Sequence, residues 1–207
     1  MDNTIGVVRS AQNSLISQSR NLSLPSRTYI GGSSRISNDN TEVRLMQGKK
    51  GEVLDNGDLL ATEQAVTGLS VTHRINEQWV VGAQGWQADD KNAQQHQEAT
   101  LALQHTNESG SLQTKAQILT NEVGTGAWVD TEYQKDRFRH QAGAYALGDG
   151  LTWMGDELTD NTQGAYWRMG YTHPRYDTHS SIEWQQRHAD ANETRDTQEL
   201  RLNQSIN

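Results

Sequence analysis

The residues most able to do chemistry are seven histidines: His73, His96, His105, His140, His173, His179 and His188. Imidazoles ligate metals, but structural zinc sites space them tightly against Cys, Asp or Glu. No such spacing occurs here. His173 and His179 are the nearest pair, yet they straddle a turn and fall on opposite faces of an extended chain. Scattered polar-face histidines are the plainer reading. Asp156, Glu157 and Asp160 could offer carboxylates to calcium, which takes about 6–8 oxygen ligands. The stretch lacks an EF-hand pattern and reads as a solvated acidic loop, made compliant by Gly148, Gly150 and Gly155. Its Leu151, Trp153 and Met154 fit solvent poorly; they are expected to fold inward, pack on a neighbouring loop or contact a surface ligand. Asp130 and Glu132 share a face, as a hydrolytic carboxylate pair would. Glu132, however, has Arg139 as an expected ion-pair partner. No GxSxG elbow, P-loop or GxGxxG is present, and Gly124-x-Gly126 is too short. No enzyme signature, cofactor or metal site is expected.

These groups must be held by something other than an ordinary two-layer core. Only 33% of the 207 residues are hydrophobic and the mean hydropathy is −0.86. A soluble globular domain holds about 45–50% apolar residues, glycine included. Phe occurs once, whereas Trp and Tyr occur six times each and Gly eighteen times. The net charge of −8 together with low hydropathy would suit disorder. Regular alternation and the aromatic content argue instead for a single-layer sheet with a wet interior. There is no cysteine, hence no disulfide framework or thiolate site. No apolar run approaches the ~18 residues of a membrane-spanning helix. The N-terminus has neither the basic nor the apolar region of a secretory signal. The acidic balance disfavours nucleic acid as a partner.

Period-two alternation is the dominant pattern, and it belongs to strands because successive side chains point to opposite faces. Residues 111–147 contain three such segments almost without spacers. Strands are expected at about 66–75, 79–88, 98–105, 111–119, 122–134, 137–147, 164–172, 175–187 and 197–204. Further pieces begin at Arg27 and span Thr41–Gln47, and Asp55-Asn56-Gly57-Asp58 is a hairpin signal. Pairing like faces sets expected registers. Lys135-Asp136 as a turn puts Tyr133 opposite Phe138 and Glu132 opposite Arg139. At Pro174, Tyr171 meets Tyr176; around Asn76-Glu77-Gln78, Ile75 meets Trp79, Val71 meets Ala83 and Leu69 meets Gly85. Residues 1–26 are Ser/Asn/Gln-rich and are expected to form a polar, poorly ordered segment, with a faint helical stripe through Ile5, Val8, Gln12, Leu15 and Ile16. Residues 27–207 form the sheet region. The expected fold is all-β, an antiparallel up-and-down meander.

Connection lengths and the apolar face define the kind of sheet. Turns near 76–78, 106–109, 135–136 and 173–174 are short, while 89–97, 148–163 and 188–196 are long and polar; Thr120-Asn121 is short where a long loop is due. Trp79, Tyr133, Phe138, Tyr171 and Tyr176 lie on the apolar face close to short turns. Trp184 shares that face eight residues beyond Tyr176, about 26 Å of strand at ~3.3 Å per residue. No charged residue interrupts the apolar set between them. The other face carries Glu132, Arg139, Arg168, Asp177 and Glu183, expected to line a lumen. Long loops opposite short turns, ~10-residue alternating strands and aromatic girdles ~25 Å apart mark outer-membrane barrels. Over about residues 66–204 the chain resembles the barrel regions of bacterial outer-membrane proteins as a class.

The resemblance implies an outer-membrane-type β-barrel, or part of one, at the bacterial outer membrane. Its partners would be the lipid bilayer and the remainder of a longer barrel chain, because this sequence shows neither a signal peptide nor a terminal aromatic strand and reads as a fragment. The implied role is non-catalytic: a porin-like pore, a transport or export component, or a surface scaffold. Arg139, Arg168, Glu132 and Asp177 would set the local field, and loop 148–163 would constrict the passage or face a partner. The alternative is a soluble β-rich adhesin or carbohydrate-binding module, with the apolar stripe as its core.

Overall fold

The computed structural model describes residues 1–9, 15–16, 28–53, 59–89, 95–153, 156–158, 161–188 and 196–206. These form β1 (Asp2–Arg9), β2 (Thr28–Ser37), β3 (Thr41–Val53), β4 (Leu59–Arg74), β5 (Trp79–Asp89), β6 (Gln95–Thr106), β7 (Leu112–Asn121), β8 (Thr125–Lys135), β9 (Phe138–Leu147), β10 (Thr152–Trp153), β11 (Asp156–Glu157), β12 (Thr162–His173), β13 (Tyr176–Arg187) and β14 (Thr197–Ile206). Twelve of them make one antiparallel sheet in chain order, and β10–β11 is a separate small hairpin. No hydrogen bonds join β1 to β14, so the sheet has two free edges. None of the described residues is helical. Asp2–Arg9 was expected within a poorly ordered segment with a helical stripe; it instead pairs along its whole length with β2. Gln12 lies outside the described residues.

The meander places alternate connections at opposite ends. The turn end carries 38–40, 75–78, 107–111, 136–137 and 174–175, whereas the loop end carries 10–27, 54–58, 90–94, 122–124, 148–161 and 188–196. Asparagines at or next to the start of four of these connections close them with side-chain acceptors. Asn38, Asn76 and Asn121 each accept from two backbone N–H groups ahead of them, and Asn107 accepts from Leu112 N. An Asx turn of this kind replaces a backbone turn bond. The expected hairpin at Asp55–Asp58 lies outside the described residues, but Val53 pairs with Leu59 on its flanks. A bulge between Lys49 and Gly51 bends β3 against β4.

Registers around 75–79 are as expected: Val71 faces Ala83 and Leu69 faces Gly85. Two others slip by two residues. Lys135 pairs with Phe138 and Tyr133 with His140, so the tight turn is Asp136-Arg137 and not Lys135-Asp136. Asp136 adopts a positive φ of 54°, which Asp tolerates better than Lys. Likewise His173 pairs with Tyr176, and Tyr171 faces Thr178. A slip of two leaves every side chain on its expected face. The break between β7 and β8 falls at 122–124, so Thr120-Asn121 ends β7 and is not itself the turn.

Among the described residues no second layer covers the sheet, yet one face is buried. Register partners Gln84 and Thr100, and Gln117 and Trp128, are all buried on it. A lone sheet buries a face only by curling around it, and here the buried face is the more polar one.

Candidate functional site

The two faces are inverted relative to a soluble protein. On β6, Thr100 is 1% exposed while the adjacent Leu101 is 61% exposed. The same contrast runs around the sheet: Ser70, Gln84, Glu98, Gln117 and Gln141 are buried, and Leu69, Leu103, Ile118, Val129, Trp167 and Ile182 are exposed. Contiguous exposed apolar surface of this extent marks a contact with something apolar.

All six expected belt residues, Trp79, Tyr133, Phe138, Tyr171, Tyr176 and Trp184, lie on the outer face by register. The turn-end members touch one another: Phe138 and Tyr171 ring centroids are 4.7 Å apart, and Tyr171 and Tyr176 are 6.3 Å apart. Three histidines join this row, which corrects the polar-face reading for His105, His140 and His173. His105 packs on Trp79 at 4.4 Å, His173 on Tyr176 at 4.6 Å, and His140 lies between Tyr133 and Trp167 at 6.3 and 6.0 Å. Alternation alone could have found them, since His140 has the parity of Phe138. From Trp79 to Gly85, His105 to Ala99, Tyr133 to Ala127 and Tyr171 to Ala165 the outer positions hold no Asp, Glu, Lys or Arg. The band gives way at the loop end to Gln87, flanked by its register partners Thr67 and Gln97, and to Gln163 bonded to Gln186 at 3.2 Å. Trp79 to Gln87 is eight residues, about 26 Å of strand at ~3.3 Å each.

Glu132, Arg139, Arg168, Asp177 and Glu183 all lie on the inner face. Arg168 donates twice to Glu183 Oε1, at 3.0 and 2.6 Å, and stacks over Tyr166 at 5.0 Å. Arg139 Nε donates to Glu132 Oε1 at 2.7 Å. The sequence reading places these two directly opposite one another; instead Arg139 faces Gln134 and Glu132 faces Gln141, so the ion pair is diagonal. Asp177 faces Thr172 and stands apart from both pairs. A third cluster, Arg35–Glu42–Arg44, closes at 2.5 and 2.6 Å at the turn end of β2–β3. Half-exposed pairs like these contribute about 0–1 kcal/mol each. They keep the turn-end interior polar, around hollows of about 440 Å³ beside Arg35, Glu42 and Arg74 and about 420 Å³ beside Arg139, Arg168 and His179.

Towards the loop end the interior is filled. Trp86, Trp128, Tyr145, Leu119 and Leu147 project inward from the sheet. Leu151 and Trp153, from the β9–β12 connection, pack among them and are fully buried. Leu15 and Ile16 of the β1–β2 connection are buried in the same cluster, where Leu15 also lines the turn-end hollow beside Arg35 and Arg74. The inward-folding hairpin is tied down by polar contacts as well. Thr152 Oγ1 donates to Glu98 Oε1 at 2.6 Å, and Asn121 Nδ2 donates to Gly150 O and Thr152 Oγ1 at 3.0 and 3.1 Å. Gly148 N donates to Thr125 O at 3.0 Å. A side chain on Gly126 would strike Leu151 Cδ2 at 2.7 Å. Alternation places Tyr145 on the face of Arg139 and Gln141, where it is found, whereas Trp86, Trp128 and Tyr166, which only their parity marks, were missed in the sequence. Met154 and Asp160 lie outside the described residues. Among the described residues no three His, Asp or Glu side chains converge as metal ligands.

Compared with protein-family models and with curated proteins, the chain matches none. Among the described residues no helix is long and apolar enough to cross a membrane, a statement that leaves strands aside.

Proposed function

We propose that this chain is the membrane-embedded wall of an outer-membrane β-barrel, or of part of a longer one, and that it performs no chemistry. The observation that carries the reading is the inversion of polarity: Leu, Ile, Val and Trp face outward over a charge-free band while Gln, Ser, Thr and Glu line the buried concave face. In water that outer surface would cost about 25 cal/mol for each Å² of apolar area left exposed. In lipid it is the solvated surface, and the antiparallel ladder satisfies backbone groups that the bilayer core cannot. The belt at the turn end and the Gln/Thr row at the loop end are then the two membrane interfaces. The soluble adhesin or carbohydrate-binding reading needs the apolar stripe as a core, and here that stripe is exposed.

The interior narrows the role. A polar turn-end half and a packed loop-end half make an occluded vessel, which favours a gated transport or export component, or a surface scaffold, over an open pore. Expression of residues 27–207 and of the full chain, with and without detergent, tests the assignment. Partition into detergent with β circular dichroism and heat-modifiable gel mobility is expected. A monodisperse, detergent-free soluble monomer would overturn it.

A further inference from the structure

We propose that β14 pairs antiparallel with β1, closing the sheet of this chain on itself, with Ile5 and Val7 joining Leu200 and Leu202 in one outer apolar layer. This rests on the membrane reading above.

The sheet has twelve strands in unbroken chain order. An even count makes the first and last strands run in opposite directions, so they can share an antiparallel ladder. Their faces also agree. On β1, Ile5 and Val7 have outer parity, and Thr4 and Gly6, which face Ser33 and Gly31, have inner parity. On β14, Leu200 and Leu202 are outer, facing Trp184 and Ile182, while Glu199 and Arg201 are inner, facing Gln185 and Glu183. Joining like faces continues both the apolar band and the polar lining across the seam.

The edges themselves look unfinished. Ile5 is 92% exposed, above the 61% of Leu101 and the 38% of Val129 in mid-sheet; it has only Gly32 on one side and no strand on the other. Free edges in proteins are normally blunted by Pro, by charged side chains on the edge or pointing inward, or by bulges. Thr197–Ile206 has no Pro and no Lys; its charges are the inward Glu199 and Arg201, which bond each other at 2.6 Å and leave its outer face uncharged. An apolar-faced edge with unpaired N–H and C=O groups is untenable in a bilayer core. β1 supplies a strand of the right direction and face pattern.

The absence of cysteine makes cross-linking clean. In the full chain refolded into lipid vesicles, Val7→Cys is combined in turn with Leu200→Cys, Leu202→Cys and Gln204→Cys, all of outer parity. Val7→Cys with Arg201→Cys or Asn203→Cys is the opposite-parity control. Disulfides need Cα atoms about 4.4–6.8 Å apart. At least one outer pair is expected to oxidise to a monomeric cross-linked species several-fold more completely than either control. Amide exchange on the unsubstituted chain is the independent measurement: β14 amides that do not face β13 are expected to be protected as strongly as those that do. Detergent partition without cross-linking, and with fast exchange of those amides, would overturn closure while leaving the membrane reading intact. Disulfides found only between molecules would overturn it in favour of a second copy at the seam. A detergent-free soluble monomer would remove the membrane reading on which closure rests.

Discussion

Tyr166 reaches across Gly143 to donate its phenolic hydrogen to Asp130, so one side chain links β12 to β8 over the strand between them. The contact is possible because Gly143 leaves the space that the ring occupies: a Cβ there would lie 2.5 Å from Tyr166 Cε1 and 2.7 Å from Asp130 Oδ1. Tyr145 lies over Gly164 in the same way, with Cζ 2.7 Å from where a Cβ would be. Concavity of the inner face therefore depends on pairing large rings with glycine.

Gly143→Ala is expected to destabilise the protein by about 1–3 kcal/mol, the usual penalty for overpacking a fitted site. Gly85→Ala is the control, since its Cβ would meet nothing nearer than Glu98 O at 3.8 Å. Urea unfolding in detergent micelles checks both; equal effects would contradict the ring-over-glycine account.

Tyr166→Phe keeps the ring over Gly143 and removes only the hydroxyl. A hydrogen bond to a charged group is worth about 1.5–3 kcal/mol, and a loss near the lower end is expected because the pair is part-buried. The same unfolding measurement applies, and a gain in stability would refute the assigned role.

Ala127→Arg places a charge on the outer face beside Val129 and Ile118, within the charge-free band. In lipid it is expected to cost about 2–4 kcal/mol near the midplane. On a water-exposed surface the change would fall within about ±0.5 kcal/mol. Folding equilibria in vesicles distinguish the two.

Thr152→Val removes the hydroxyl that donates to Glu98 and accepts from Asn121. Loosening of the β10–β11 hairpin is expected, read as faster proteolytic nicking in the β9–β12 connection and as a rise in single-channel conductance across a planar bilayer. Trp153→Ala goes further, emptying a fully buried indole site at about 3–5 kcal/mol. Unchanged protease sensitivity in both variants would contradict the anchoring of the hairpin by these contacts.

Period-two alternation is a local property, and from it the sequence by itself determined the all-β meander, most strand positions, the inner or outer face of Glu132, Arg139, Phe138 and Tyr171 among others, and the long-loop and short-turn ends. It could not distinguish registers two residues apart, since such a slip moves no side chain to the other face. The choice between Lys135-Asp136 and Asp136-Arg137 fell to the residue able to hold a positive φ. The partner of Glu132 was legible, but its diagonal geometry was not. Two decisions belonged wholly to the tertiary structure. One was that Leu151, Trp153, Leu15 and Ile16 enter the curl, because a connection's destination depends on space left by distant strands. The other was that the polar face is the concave one, because curvature arises from twist, glycine floors and ring packing summed over the whole sheet.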